Sequence, residues 1–384
     1  MTTLSGDKIT TTFLETLQTT ESLDQRDNRG KRHELWFVLL GFVIAFLRNR
    51  DGGLSSLHRS MVNTNKELCA FLGIEIKPVV SRAELPIVLQ NIDIELFDSI
   101  LFEYLGVRLP QSLAKWFSCD GKELRGSILK GTTRGEVIVT AVSHQDRITV
   151  AQDFHDGQKE SERPCVRSLL KTTALEKEKI TLDALHFCPD TLNQIEQAGG
   201  TYLVGLKENQ KELYQDMQLV AIRSKAKSEW ISEPEKGHGR VEFRNYQAFD
   251  IQNEYFDDRW NYANLKTLVK VDRTRYNCKK QTESKETAYY MSNQPISKTN
   301  KDELFHAIRN HWQVETSNHI RDVTLNEDNL KTSKKRISRI AAGVRTLTIS
   351  ILSKMNVKNI KAQLEKFADN FQNLLTHLRA VNFL

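Results

Sequence analysis

The sequence predicts an α/β protein: a mixed-sheet core interrupted by a β-rich insertion, with a helical region ahead of it and helices behind it. Three observations predict this. Between residues 116 and 154, three β-branched or alternating runs are separated by short polar turns, the pattern of an antiparallel meander. Between 162 and 222, helical and strand-like periodicities alternate, which implies parallel strands flanked by helices. Between 226 and 292 that rhythm gives way to further strand-like runs, after which helical spacing returns.

Each element has its own signal. Residues 1–30 are polar and are expected to fray. Lys31-Arg32-His33-Glu34-Leu35 opens an apolar helix that Asp51-Gly52-Gly53 stops. Leu54–Gly73 and Ile92–Leu105 have helical apolar spacing. Residues 1–110 therefore read as an N-terminal helical domain. It suits a helix-turn-helix-like DNA reader and suits equally a helical cap on the core.

The core's first part spans 111–225. Its strands are Trp116–Asp120, Glu136–Ser143 and Ile148–Phe154, followed by a helix over 162–175. Lys179–Asp183 is a strand, Pro189–Gln197 a helix, Thr201–Lys207 a strand and Glu208–Ile222 a helix. This order, βββ-α-β-α-β-α, is the one an RNase H-like fold requires. The insertion, 226–295, carries strand-like Val241–Ala248, Leu265–Val271 and Thr287–Ser292. In the last region, 296–384, Asn300-Lys301-Asp302-Glu303 resembles a capping box. It opens a helix with Leu304, Ile308 and Trp312 on one stripe, and helical spacing resumes from Ile337 to Leu378.

Composition narrows the class. With 384 residues and roughly 150 per domain, two or three domains are expected. The net charge of +6 is compatible with a polyanionic partner without requiring one. The five cysteines form no C-x-x-C pair, so neither a disulfide framework nor a Cys-rich zinc site is expected, and free thiols fit the cytoplasm. The most apolar run, Trp36–Leu47, falls short of the roughly 20 residues of a membrane span, and the N-terminus lacks a signal pattern. No membrane partner is expected.

Three acids stand where this fold would gather them. Asp120 ends the first strand, Asp183 ends the fourth, and Glu315 lies in the helix after the insertion. The first and fourth strands of such a sheet are neighbours. A strand-terminal Asp is ordinarily a turn former and a helical Glu ordinarily a solvated face, so the joint placement is what matters. Phosphodiester cleavage needs an activated nucleophile and a stabilised leaving oxyanion, which Mg²⁺ bound to a few carboxylates supplies.

Five strings, in order, carry a resemblance. They are Asp120-Gly121-Lys122-Glu123-Leu124-Arg125-Gly126-Ser127; Thr181-Leu182-Asp183-Ala184; Gly200-Thr201-Tyr202-Leu203-Val204-Gly205-Leu206-Lys207-Glu208-Asn209-Gln210; His238-Gly239-Arg240-Val241-Glu242-Phe243-Arg244; and Arg309-Asn310-His311-Trp312-Gln313-Val314-Glu315, with Asp322-Val323 and Glu327-Asp328 downstream. The chain resembles the ISAs1-family DDE transposases of bacterial insertion sequences over nearly its whole length. That resemblance implies a DDE triad at Asp120, Asp183 and Glu315, which would be both catalytic and metal-binding. It also implies dependence on Mg²⁺, with Mn²⁺ as substitute, DNA as partner, and a homodimer on the element ends. The chain departs from the family pattern at Thr316, Arg321 and Leu325, where Asn, Leu and an aromatic are usual. None of these is a proposed ligand. A domesticated DNA-binding protein of the same fold, or a nuclease without transfer activity, is the alternative reading.

Other residues could hold DNA. Lys122 and Arg125 follow the first acid, and Lys207 ends the fifth strand on the same side, beside Asn209 and Gln210 at a helix start. Arg240 and Arg244 share one strand face with Glu242 between them, which reads equally as a DNA contact or a salt-bridge ladder. His238, Arg309, His311 and His319 join this set; His311 and His319 could instead pack beside the site. Asp322 is a further acid that could support the metal or stay solvated. Trp230 and Trp260 in the insertion read as core or, alternatively, as base-stacking residues. Basic stretches Lys266–Lys285 and Lys331–Arg339 flank the acids and suit a phosphate-tracking surface.

Overall fold

The computed structural model describes residues 11–48, 51–107, 115–157, 162–237, 239–251, 256–297 and 301–384. Among the described residues five α-helices come first: α1 (Phe13–Thr19), α2 (Leu35–Arg48), α3 (Leu54–Leu72), α4 (Leu85–Gln90) and α5 (Ile94–Tyr104). The expectation of a frayed N-terminus fails at α1. Thr12 and Glu15 form a reciprocal capping box, and Phe13, Leu14 and Leu17 are buried. Helix α3 ends where Gly73 takes a left-handed φ of 68°.

The meander is β1 (Trp116–Glu123), β2 (Val137–Ser143) and β3 (Thr149–His155). Then come α6 (Glu162–Thr172), β4 (Lys179–Leu182), α7 (Pro189–Gln197), β5 (Thr201–Leu206) and α8 (Lys211–Arg223). The insertion supplies β6 (Ser228–Ile231), β7 (Glu235–Gly237), β8 (Arg240–Asp250), β9 (Thr267–Asn277) and β10 (Thr282–Ser292). Helices α9 (Lys301–Asn310), α10 (Trp312–His319), α11 (Lys335–Lys354), α12 (Ile360–Asp369) and α13 (Phe371–Ala380) complete the chain.

All the strands of the described residues join one mixed sheet, ordered β3-β2-β1-β4-β5-β10-β9-β8-β6, with β7 on β8. Strands β1, β4 and β5 run parallel, as the βα rhythm requires. Strand β10 adds antiparallel to β5, from Tyr289↔Leu206 to Ser292↔Leu203. The insertion thus extends the core sheet and covers what would otherwise be an open edge. Helices α6 to α8 cover one face of the core strands, where Phe117, Cys119, Ile180 and Leu182 are buried. The opposite face of the sheet buries Trp116, Leu203 and Val271 against Leu304, Phe305 and Ile308 of α9.

The terminal helices share one apolar core. Helix α2 is apolar on every side and must be enclosed; α3, α11 and α12 pack around it. Arg48 at its end donates through Nη2 to the Ala368 carbonyl at 2.6 Å and through Nε to that of Phe367 at 3.1 Å. Among the described residues no helix is long and apolar enough to cross a membrane.

Candidate active site

Sheet register brings the first two acids together. Strands β1 and β4 pair in parallel up to Ser118↔Thr181, so two residues further Asp120 and Asp183 occupy equivalent positions. Asp120 does not end its strand. While β4 stops, β1 continues to Glu123, paired with Val137 of β2. Asp183 leaves β4 and caps a short 3₁₀ turn, its Oδ1 accepting the Leu185 N–H at 3.0 Å. Asn209 and Gln210 stitch the exit of β5 to this turn, donating to the carbonyls of Ala184 (2.7 Å) and Phe187 (3.0 Å). Their side chains are thereby structural.

Helix α10 supplies the third acid. The sequence stripe Leu304–Ile308–Trp312 runs through a break at His311, so Trp312 is exposed while Leu304 and Ile308 are buried. Val314 and Ser317 face inward. Asn318 Nδ2 donates to Asp120 Oδ2 at 2.9 Å, and His311 Nδ1 meets Thr181 Oγ1 at 2.9 Å. His144 Nε2 meets the same hydroxyl at 3.1 Å. These bonds set α10, and Glu315 with it, across the ends of β1 and β4. The helix then passes into a π-helical turn, Ile320–Thr324, a feature frequent at functional sites.

The acids act on one another. Burial first, then the charges of Asp183, Glu162 and Glu315, push the Asp120 carboxyl up to about 7 against the pull of the Gly121 N–H. Burial and Asp183 raise Glu315, with Lys207 opposing. Burial pushes His311 down to about 4 and His144 down to about 3. Both rings are neutral at neutral pH, so His311 braces Thr181 and brings no positive charge to a phosphate.

Glu162, at the start of α6, has no distinguishing mark in the sequence, since an acid in a helix's first turn is ordinary. Its carboxylate lies over Gly121: a Cβ there would stand 2.8 Å from Glu162 Cδ. The His186 ring links it to the second acid. Nε2 is 3.6 Å from Glu162 Oε1 and 3.8 Å from Asp183 Oδ1.

The basic residues divide. Arg125, Lys207, Arg240 and His319 are exposed. Lys122 is buried, its Nζ 2.7 Å from Asp322 Oδ1 and 3.2 Å from Glu327 Oε2. It therefore braces the segment after α10 against β1, and Asp322 is its partner. Glu327 is itself buried against Arg321, the departure from the family's Leu, at 2.8 Å. In the insertion, Arg309 makes a bidentate pair with Glu235 at 2.9 and 3.1 Å, and Arg244 pairs with Glu242. With Arg240, Arg275 and the exposed Trp312 these line an open basin of about 310 Å³. Trp230 is part-buried and stacks on Tyr246, and Trp260 is buried against Phe187, so both pack with the core. His238 lies outside the described residues.

Among the described residues no three His, Cys, Asp or Glu side chains already stand close enough to share a metal ion. The donor chemistry nevertheless suits a hard divalent cation. Carboxylates converge at the end of β4, and Asp120 meets an amide rather than a cation. A divalent ion would neutralise the mutual repulsion that raises Asp120.

The family model described as "Transposase DDE domain" matches residues 112–351. The chain is 28% identical over 300 residues to "Putative transposase YncI" of Escherichia coli O157:H7, covering 77% of this chain and 74% of that one. It is 30% identical over 254 residues to "H repeat-associated putative transposase YhhI" of Escherichia coli strain K12, covering 64% and 66%.

Proposed function

The chain belongs to the transposase DDE-domain family, and we propose that it is a cut-and-paste enzyme that cleaves the ends of an insertion sequence and joins them to target DNA. The five motifs favour an ISAs1-like element within that family. Asp120, Asp183 and Glu315 are the catalytic acids and would hold Mg²⁺, or Mn²⁺ in its place. Bound there, the metal would make water a nucleophile at neutral pH and stabilise the leaving oxyanion. The chain's own residues position those acids: Asn318 holds Asp120, the Leu185 N–H holds Asp183, and His311 fixes the helix that carries Glu315. Arg125, Lys207, Arg240 and His319 are free to take DNA phosphates, and Arg244 and Arg309 can exchange their carboxylates for phosphates. The protein would act in the cytoplasm, as a homodimer bridging two element ends. The convergence of three acids from β1, β4 and α10, with Asp120 raised by burial first and then by Asp183, Glu162 and Glu315, carries this reading. The test is cleavage and joining of the DNA flanking the gene, with Mg²⁺ or Mn²⁺ and Glu315→Gln as control. Cuts at the flanks and joined products that vanish in the control are expected; DNA bound but uncut under both metals would overturn the reading.

A further inference from the structure

We infer that Glu162 is a fourth carboxylate of the metal-binding site, placed there by Gly121 and tied to Asp183 through His186. Two observations carry it. First, the space over Gly121, the residue after Asp120 on β1, holds the Glu162 carboxylate, and a Cβ at 121 would meet its Oε1 at 2.9 Å. Second, His186 is fully buried with neither ring nitrogen in hydrogen-bond geometry, yet its Nε2 stands 3.6 Å from Glu162 Oε1 and 3.8 Å from Asp183 Oδ1. A buried imidazole aimed between two carboxylates holds both toward one place; metal-ligating groups are oriented in this way by neighbours one bond removed. Glu162 stays part-exposed, with 27% of its side chain accessible, so it can reach an ion that enters beside Asp183.

This inference rests on the proposed metal site, and the experiment separates the two. Mn²⁺ binding to the full-length protein without DNA is followed by the loss of the free-ion paramagnetic resonance signal. Wild type, Asp183→Asn, Glu162→Gln and Glu162→Ala are compared, each also by thermal melting with and without Mg²⁺. Glu162→Gln keeps an acceptor for His186 and removes only the charge. It should weaken Mn²⁺ about tenfold or more and shrink the rise in melting temperature that Mg²⁺ produces. Glu162→Ala should weaken Mn²⁺ to the same degree while melting lower than Glu162→Gln. Wild-type Mn²⁺ affinity in Glu162→Gln, with Asp183→Asn impaired, would overturn the role of Glu162 and leave the triad standing. No Mn²⁺ binding by the wild type would overturn both.

Discussion

Asn318 Nδ2 donates to Asp120 Oδ2 over 2.9 Å, joining the helix of the third acid to the strand of the first. The two residues are far apart in sequence, and this bond lies within one turn of Glu315. It fixes the rotamer of Asp120 and the height of α10 together. A hydrogen bond to a charged group is worth about 1.5–3 kcal/mol. Asn318→Ala should therefore lose about 1.5–3 kcal/mol of stability and cut DNA roughly tenfold more slowly, with DNA affinity unchanged. Wild-type cleavage by this variant would show that the bond does not position the site.

The raised carboxyl of Asp120 makes a pH prediction. Its ordinary value is 3.8 and the folded value about 7. The folded protein therefore holds this proton more tightly than the unfolded chain does. Stability is lost as pH rises from about 4 through 7, and the full cost is present above that window. One pKa unit is about 1.4 kcal/mol, which bounds the effect at about 4 kcal/mol. In the absence of metal, Asp120→Asn should be more stable than wild type at pH 8 and indistinguishable from it near pH 4. Denaturant titrations at both pH values check this. An Asp120→Asn variant that is no more stable at pH 8 would mean that burial and the neighbouring acids do not raise this carboxyl.

The insertion's ion pairs yield a third prediction. Arg309 pairs with Glu235, whose carboxyl it holds below the usual range, and Arg244 Nη1 is 3.5 Å from the same residue. If these arginines meet phosphates, Glu235 competes with DNA for them. Glu235→Gln should bind duplex DNA about fivefold more tightly at low salt, the worth of an exposed pair near 1 kcal/mol. Arg309→Ala should bind more weakly and with a shallower salt dependence. Fluorescence anisotropy across a salt series distinguishes these from the contrary result, in which neither variant moves.

Much of this was legible because the signals were local. The helix α7 opens at Pro189, and β4 and β5 carry apolar runs ending in Asp183 and Lys207, so their limits follow from neighbouring residues. Asp183 was readable because the fold places a strand end there. Long-range pairing was not readable. Lys122 adjoins Asp120 in sequence and so suggested a phosphate contact, whereas the structure buries it against Asp322 and Glu327. Glu162 and Asn318 owe their positions to sheet register and helix placement, which leave no local mark. Trp312 continues a helical stripe on paper, but the break at His311 loses the phase and turns the ring outward. The extra strands β6 and β7 are too short to carry a readable alternation: β7 is exposed throughout, and β6 alternates part-buried Ser228 and Trp230 with exposed Glu229 and Ile231.

The most direct test of the central claim measures binding and cutting together. Purified wild type and Asp183→Asn are incubated with labelled element-end DNA in Mg²⁺, and bound and cleaved fractions are read from the same samples. Asp183 lies part-exposed at the end of β4 and its Oδ1 accepts the Leu185 N–H, a bond that the Asn side-chain oxygen can also accept, so the substitution should leave the fold and DNA affinity intact. The account predicts equal binding and a cleavage rate lower by roughly a thousandfold or more. Cleavage by Asp183→Asn at the wild-type rate would contradict it.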